Sequence, residues 1–302
     1  MFDFEELRSF VAVADQGGIT PAARHLSISK SLVSRRLTRL ERELGAQLLR
    51  RTTRGATLTE AGAVFRDHAA RIIVELEAAR EAVSADGELR GLLRIAAPLS
   101  FGAILAPVMA EMARAHPKLE FQIAFSDAIV DLIGGGFDAA VRISKMPSST
   151  LVARRIGQVE ARIVASPDYL AQNGPVLSLD DLQHHDALLL GAGRWPVTQK
   201  GKVHKIRPRS RFQADNGLAI LAMAVAGAGI AMLPDFLADE PIARGELVRL
   251  IEKSEPPPSP IQVVRAPGRH APRKVVALTE LLTRHLADRC RVKASHSAKT
   301  KI

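Results

Sequence analysis

Apolar residues recur at helical spacing from the first residues onward. Phe4, Leu7, Phe10, Val11 and Ala14 predict one helix, and Gly17-Gly18 predicts its end. Thr20-Pro21 predicts the cap and first residue of a short helix over 21–26. Ser27-Ile28-Ser29 breaks the pattern, with Ser29 the cap of a third helix that runs to Leu44 and stops at Gly45. Its apolar face is Val33, Leu37, Leu40 and Leu44. At about 100° per residue the opposite face carries Ser31, Arg35, Thr38 and Arg42, flanked by Ser34 and Arg39. Residues 48–58 predict two short strands around Thr53-Arg54-Gly55-Ala56.

Thr59 caps a further helix of roughly 25 residues. Within it Phe65, Ala69, Ile72, Leu76, Ala79 and Val83 form a heptad seam. So narrow a stripe needs a partner, either a second copy of the helix or the chain's own C-terminal part. Ser84-Ala85-Asp86-Gly87 is the expected hinge.

Beyond the hinge the pattern changes. Strands are expected over 92–97, 120–126, 137–143, 162–165, 187–190, 211–213, 230–233 and 261–266. Helices are expected over 100–115, 127–134, 217–226 and 273–287. Such alternation predicts βαβ units with parallel sheet, here in two lobes with a ligand cleft between them.

The chain has 302 residues and 47% hydrophobic content, enough for several cores. It carries 42 Lys and Arg against 32 Asp and Glu, a net +10 that favours a polyanionic partner such as nucleic acid. The charge is uneven. Residues 289–302 hold five basic groups and no acidic one, and their lack of pattern predicts a disordered tail. Residues 61–88 are net acidic. Residues 20–54 hold nine basic groups against two acidic ones, which is the useful signal. Hydroxyls at the start of the third helix, with arginines behind them, suit entry into a DNA major groove. The basic hairpin suits the backbone or minor groove beside it.

The single cysteine, Cys290, excludes an internal disulfide and a cysteine-rich zinc site. The acidic N-terminus does not read as a signal peptide, and no stretch of about 18 residues is uniformly apolar. The expected location is therefore cytoplasmic, without membrane contact. Gly191-Ala192-Gly193 and Gly227-Ala228-Gly229 lack the rest of a dinucleotide fingerprint. His184-His185 read as surface histidines. No nucleophile is matched with a base, so neither an enzyme nor a cofactor or metal site is expected.

Ala22-Ala23-Arg24-His25-Leu26, Ser29, Val33-Ser34-Arg35, Leu40-Glu41-Arg42-Glu43-Leu44-Gly45, Leu48, Arg51 and Leu58-Thr59-Glu60-Ala61-Gly62 resemble the N-terminal winged helix-turn-helix of LysR-type transcriptional regulators. Ile19 and Leu49 stand where that family commonly has Phe, and Lys30 where it often has Gln. The last difference bears on operator preference. Together the pattern and the resemblance give a DNA-contacting set of Thr20, Lys30, Ser31, Ser34, Arg35, Thr38, Arg39, Arg51 and Arg54. The resemblance implies antiparallel pairing of the seam helix in a homodimer, extended to a homotetramer.

A second resemblance runs through Leu93-Arg94-Ile95, the segment from Phe137 to Ile143, Val164 to Leu170, and Ala226 to Pro234. These resemble the effector domain of the same family, a two-lobed fold like the type 2 periplasmic binding proteins. It implies that Ser126, Ser144, Trp195 and Asn216 face the cleft. Ser100 falls at a helix N-terminus, where it is either an anion contact or a plain cap. Trp195 is either a cleft or a core residue. Arg142 and Arg194 either pair a ligand carboxylate or are solvated and salt-bridged. A small organic acid is the expected effector.

The expected division is a DNA-binding domain at 1–62, a linker helix at 63–88, a regulatory domain at 89–288, and the tail. Lobe I takes 89–160 and 262–288, lobe II takes 161–261. Two competing readings are a solute receptor, which would need an export signal, and an enzyme using the cleft.

Overall fold

The structure is a computed structural model of the chain. It describes all residues except 1, 53–54, 84–87, 129, 133–134, 145–149, 192, 200, 255, 268–269 and 300–302. At 51–52, 74, 77–78, 80–83 and 289–299 only the backbone is described.

Helix α1 (Phe4–Gln16) opens with a reciprocal capping box between Asp3 and Glu6 and ends on Gly17 in the left-handed conformation. Helix α2 (Ile19–His25) starts two residues before Pro21. Thr20 therefore lies inside the first turn and is not its cap. Helix α3 (Lys30–Leu44) is capped by Ser29, whose hydroxyl accepts from the Leu32 amide. Strands β1 (Leu49–Thr52) and β2 (Gly55–Leu58) form the antiparallel hairpin. Helix α4 (Glu60–Val83) follows, with the Thr59 hydroxyl accepting from the Gly62 amide. A side chain at Gly62 would collide with the Leu48 carbonyl oxygen, so only glycine lets α4 lie this close to the hairpin. Leu7, Phe10, Val13, Val33, Leu37 and Leu40 form the core of this unit.

Lobe I is built from β3 (Gly91–Ala97), a 3-10 turn at Leu99–Phe101, α5 (Gly102–Ala115), β4 (Leu119–Phe125), β5 (Ala139–Ile143) and β6 (Val152–Val159). Lobe II follows with β7 (Ala161–Ala165), α6 (Pro167–Asn173), β8 (Ala187–Leu190), β9 (Trp195–Gln199), β10 (Lys202–Ile206), β11 (Ser210–Ala214), α7 (Gly217–Val225), β12 (Ile230–Pro234), α8 (Asp235–Ala243) and β13 (Val248–Arg249). The chain then returns to lobe I through β14 (Ser259–Arg265) and α9 (Arg273–Lys299).

The lobe I sheet has the order β4-β3-β5-β14-β6, and that of lobe II has β11-β8-β12-β7-β13. Both are mixed, which corrects the parallel expectation. Strand β14 runs antiparallel to β5 and β6, and β7 antiparallel to β12. The cause is topological: each lobe is entered or re-entered by a strand that crosses from the other.

Other expectations also change. Strand β6 escapes the pattern because Val152 to Arg155 are all exposed, so no buried alternation marks it. The hairpin β9–β10 is likewise unforeseen. Residues 127–134 show no helix among their described positions. The helical backbone of α9 continues to Lys299, eleven residues into the segment expected as a tail, whose last three residues lie outside the described ones. His185 is buried, its Nδ1 3.3 Å from the Tyr169 hydroxyl, and is not a surface residue. No described helix is long and apolar enough to cross a membrane.

Candidate nucleic-acid interface and effector cleft

Helix α3 buries Val33, Leu37 and Leu40 and turns its other face outward. Lys30, Ser31, Arg35, Thr38 and Arg39 are exposed, while Ser34 and Thr20 are half-buried. The side chain of Arg51 and all of Arg54 lie outside the described residues, although the backbone pairs Arg51 with Ala56 in the hairpin.

The arginines of α3 divide by partner. Arg39 Nε lies 3.1 Å from the buried Glu6 carboxylate of α1, so this residue ties α3 to α1. Arg36 does likewise, 3.3 Å from Glu5 and donating to Ser9. Arg35 projects from the exposed face. Arg39 thus has a structural partner in Glu6 while half of its side chain stays exposed on the face expected to contact DNA. Glu41 has a role that sequence reasoning missed: it accepts from the Leu48 and Leu49 amides at 2.8 and 3.0 Å. That fixes where the hairpin leaves the recognition helix. The only sequence signal was an acid amid basic neighbours.

The seam of α4 splits in two. Phe65 packs against Phe10 with ring centroids 5.5 Å apart and tilted, and Ala69 is fully buried in the N-terminal core. These two are corrected from dimer contacts to intrachain packing. Ile72, Leu76 and Ala79 are exposed, at 49% and 36% for the first two. The Val83 side chain lies outside the described residues.

Topology gathers the cleft residues. Strand β3 is parallel to β4 and β5, so Ser100, Ser126 and Ser144 all follow strands at one carboxyl edge of lobe I. Strands β8, β11 and β12 are mutually parallel in lobe II, and Asn216 follows β11 at the corresponding edge. The two edges meet: a Cβ at Gly217 would sit 3.7 Å from the Ser100 Cβ.

Much of this rim is already engaged. Asn216 caps α7, its Oδ1 accepting from Leu218 and Ala219. The Ser126 hydroxyl accepts from the Ala128 amide. Arg142 donates to the Ala128 carbonyl at 3.2 Å. Ser144 is exposed. Trp195 is only 2% exposed and packs among Ile163, Leu189 and Ile230 in the lobe II core. It is corrected from a cleft residue to a core residue, because its ring points into the sheet's packed face. Arg194 is exposed.

Two carboxylates at the rim were missed. Burial holds the Asp127 carboxyl above its ordinary range, against the Leu99 amide; Asp215 adds to the rise and Arg142 opposes it. Burial also lowers the Arg142 guanidinium, with Asp127 offsetting part. Arg142 remains charged at neutral pH. Asp127 and Asp215 sit in loops, where no periodicity announces orientation.

Comparisons with known proteins agree with this geometry. The family model described as bacterial regulatory helix-turn-helix protein, lysR family, matches residues 4–63. The LysR substrate binding domain model matches residues 86–287. The transcriptional regulator PtxR of Pseudomonas aeruginosa is 37% identical over 290 residues, covering 94% of this chain and 93% of PtxR. The solved LysR-type regulator CrgA of Neisseria meningitidis superposes with a TM-score of 0.57 at 30% identity, covering 95% of this chain and 99% of CrgA. ArgP of Mycobacterium tuberculosis shares the fold, with a TM-score of 0.66 at 20% identity over 95% of this chain and 98% of ArgP. The chain belongs to the LysR-type transcriptional regulators, with a DNA-binding helix-turn-helix and a substrate-binding effector domain.

Proposed function

We propose that the chain reads double-stranded DNA as a homodimer, assembled further into a tetramer, and that a small organic acid held between its lobes modulates that reading. The observation that carries it is the division of α3. One face packs Val33, Leu37 and Leu40 inward, and the other presents Ser31 in the capped first turn with Arg35 and Thr38 in the turns behind it. That arrangement suits base edges near the helix start and phosphates behind it. Lys30, Ser34, Arg51 and Arg54 complete the DNA-contacting set, with Thr20 at the adjoining helix. Half-sites are reached by pairing two α4 helices through Ile72, Leu76 and Ala79.

The effector meets Ser100, Ser126, Ser144 and Asn216 at the facing strand edges, with Arg142 for its carboxylate. The division at residues 62 and 88 separates reader, pairing helix and sensor. The protein acts in the cytoplasm, without a cofactor, and makes and breaks no covalent bond. A gel-shift titration tests the reading, with the upstream region of its own gene against random DNA of equal length at several salt concentrations. Tighter retention of the upstream region is expected, with a steep loss of affinity as salt rises for both DNAs. Equal affinity for both refutes sequence-specific reading.

A further inference from the structure

A cavity of about 300 Å³ lies at the junction of the N-terminal unit, α4 and lobe I. It is distinct from the exposed face of α3 and from the rim of the cleft. Its apolar wall comes from Val11 and Leu26 on one side, Ile73 of α4, and Leu92, Leu132 and Phe137 of lobe I. Exposed Arg8, His25, Arg71 and Glu75 complete its rim.

One end of the cavity carries a chain of ion pairs that crosses the junction. Arg66 Nη2 of α4 lies 2.5 Å from Asp15 Oδ1 of α1. The other oxygen of Asp15 is 3.9 Å from Arg94 Nη1 of β3. Asp138 accepts from the Arg94 backbone amide at 2.8 Å and pairs with Lys274 of α9 at 2.9 Å. Lys274 also donates to the Leu92 carbonyl. The side chains of Asp15, Arg66, Arg94, Asp138 and Lys274 are each less than one-fifth exposed.

The ledger does not balance. Three sheltered cations face two sheltered carboxylates, with Asp67 at the solvent edge 3.6 Å from Arg66. Asp15 and Asp138 each have a close partner. Among the described residues Arg94's side chain has only the long contact to Asp15, and its buried Nε has no hydrogen-bond partner. Buried donors left in that condition are costly and uncommon. The backbone makes room for this arginine: a Cβ at Gly136 would sit 2.7 Å from Arg94 Nη1 and 3.2 Å from Asp15 Oδ2.

We infer that this junction cavity binds a small organic anion, its carboxylate on the Arg94 guanidinium and its apolar body against Leu132 and Phe137. Planar bidentate pairing is what a guanidinium offers a carboxylate. The volume is at the lower end for small-molecule pockets, so the occupant is a compact acid of about benzoate size. Its walls belong to both the DNA-reading unit and the sensor, so an occupant braces one against the other and favours whichever arrangement holds the junction closed.

Calorimetric titration of the full chain without DNA tests this, using benzoate and hexanoate as probes and benzamide and hexanamide as their neutral counterparts. The acids are expected to bind at least about tenfold more tightly than the amides. Arg94→Gln is expected to remove that preference. Ala70→Leu leaves every charged group in place and narrows the cavity from α4, so it is expected to weaken both acids, and it serves if Arg94→Gln fails to fold. Heat that is unchanged by both substitutions places the acids in the inter-lobe cleft and overturns the inference. So does binding that is equal for acids and amides, or absent at millimolar concentration. DNA plays no part in the measurement. A chain that binds the acids here yet ignores operator DNA refutes the proposed function and leaves this site standing; the reverse pattern does the opposite.

Discussion

The outer face of α3 and the rim of the inter-lobe cleft are both polar, yet they differ in how their groups are used. On α3, Arg35 and Thr38 stand on an exposed face while the apolar ridge beneath is fixed in the core. At the rim, Asn216 holds two helix amides, Ser126 holds the Ala128 amide, and Arg142 holds the Ala128 carbonyl. A partner of α3 exchanges hydration for contacts. A ligand of the rim must also compete with bonds inside the protein, so its binding is tied to movement of the loops after β4 and β11.

The largest test of this contrast is Arg35→Ala. It is expected to cost about 1–3 kcal/mol in binding to the specific DNA site and to relax base preference at one position. Equal losses on specific and random DNA in a gel-shift series would break the contrast. Next is Asn216→Ala, expected to cost about 1 kcal/mol of lobe II stability through the lost cap. Trp195 is the only tryptophan and is buried in that lobe, so its fluorescence during urea unfolding reads the change. Arg39→Ala is expected to lower the stability of the N-terminal unit by about 0.5–1 kcal/mol, since Glu6 keeps its bond to the Asp3 amide but loses its cation. Its salt dependence of DNA binding should match the wild type, which a salt titration checks.

Asp127→Asn gives the smallest change, chiefly one of sign. The folded state raises this carboxyl above the ordinary value of 3.8, so it binds a proton more tightly than the unfolded chain does. Its contribution to stability therefore falls as pH rises from 3.8 through the raised value. The variant is expected to melt no lower than wild type at neutral pH, and to lose any advantage below pH 3.8, as melting curves across pH will show.

The N-terminal unit was legible because helical periodicity fixes orientation. Once Val33, Leu37 and Leu40 are read as inward, Ser31 and Arg35 can only face out. What periodicity could not give was which arginine serves a neighbouring helix, since Glu6 lies 33 residues before Arg39. The same limit applies to Phe65 and Ala69. They repeat like the rest of the seam, but the helix they sit on emerges from a core that claims them first. The cleft was legible in outline, as strands with ligand-bearing ends. Trp195 was misplaced because a residue that begins a strand can turn to either face, and only the assembled sheet decides which. Asp127 and Asp215 were invisible because their roles depend on loops brought together across two lobes.

Strand β14 lies between β5 and β6, and among the described residues β6 has no other neighbour in its sheet. During synthesis, therefore, the DNA-reading unit and lobe II have all their residues before lobe I does. Lobe I waits with an open seam until the last part of the chain emerges. The interval exposes the edge of β5, a template for strand pairing with another chain. Premature termination before Ser259 would leave that edge open for good, with the DNA-reading helix intact on a sensor unable to close its sheet.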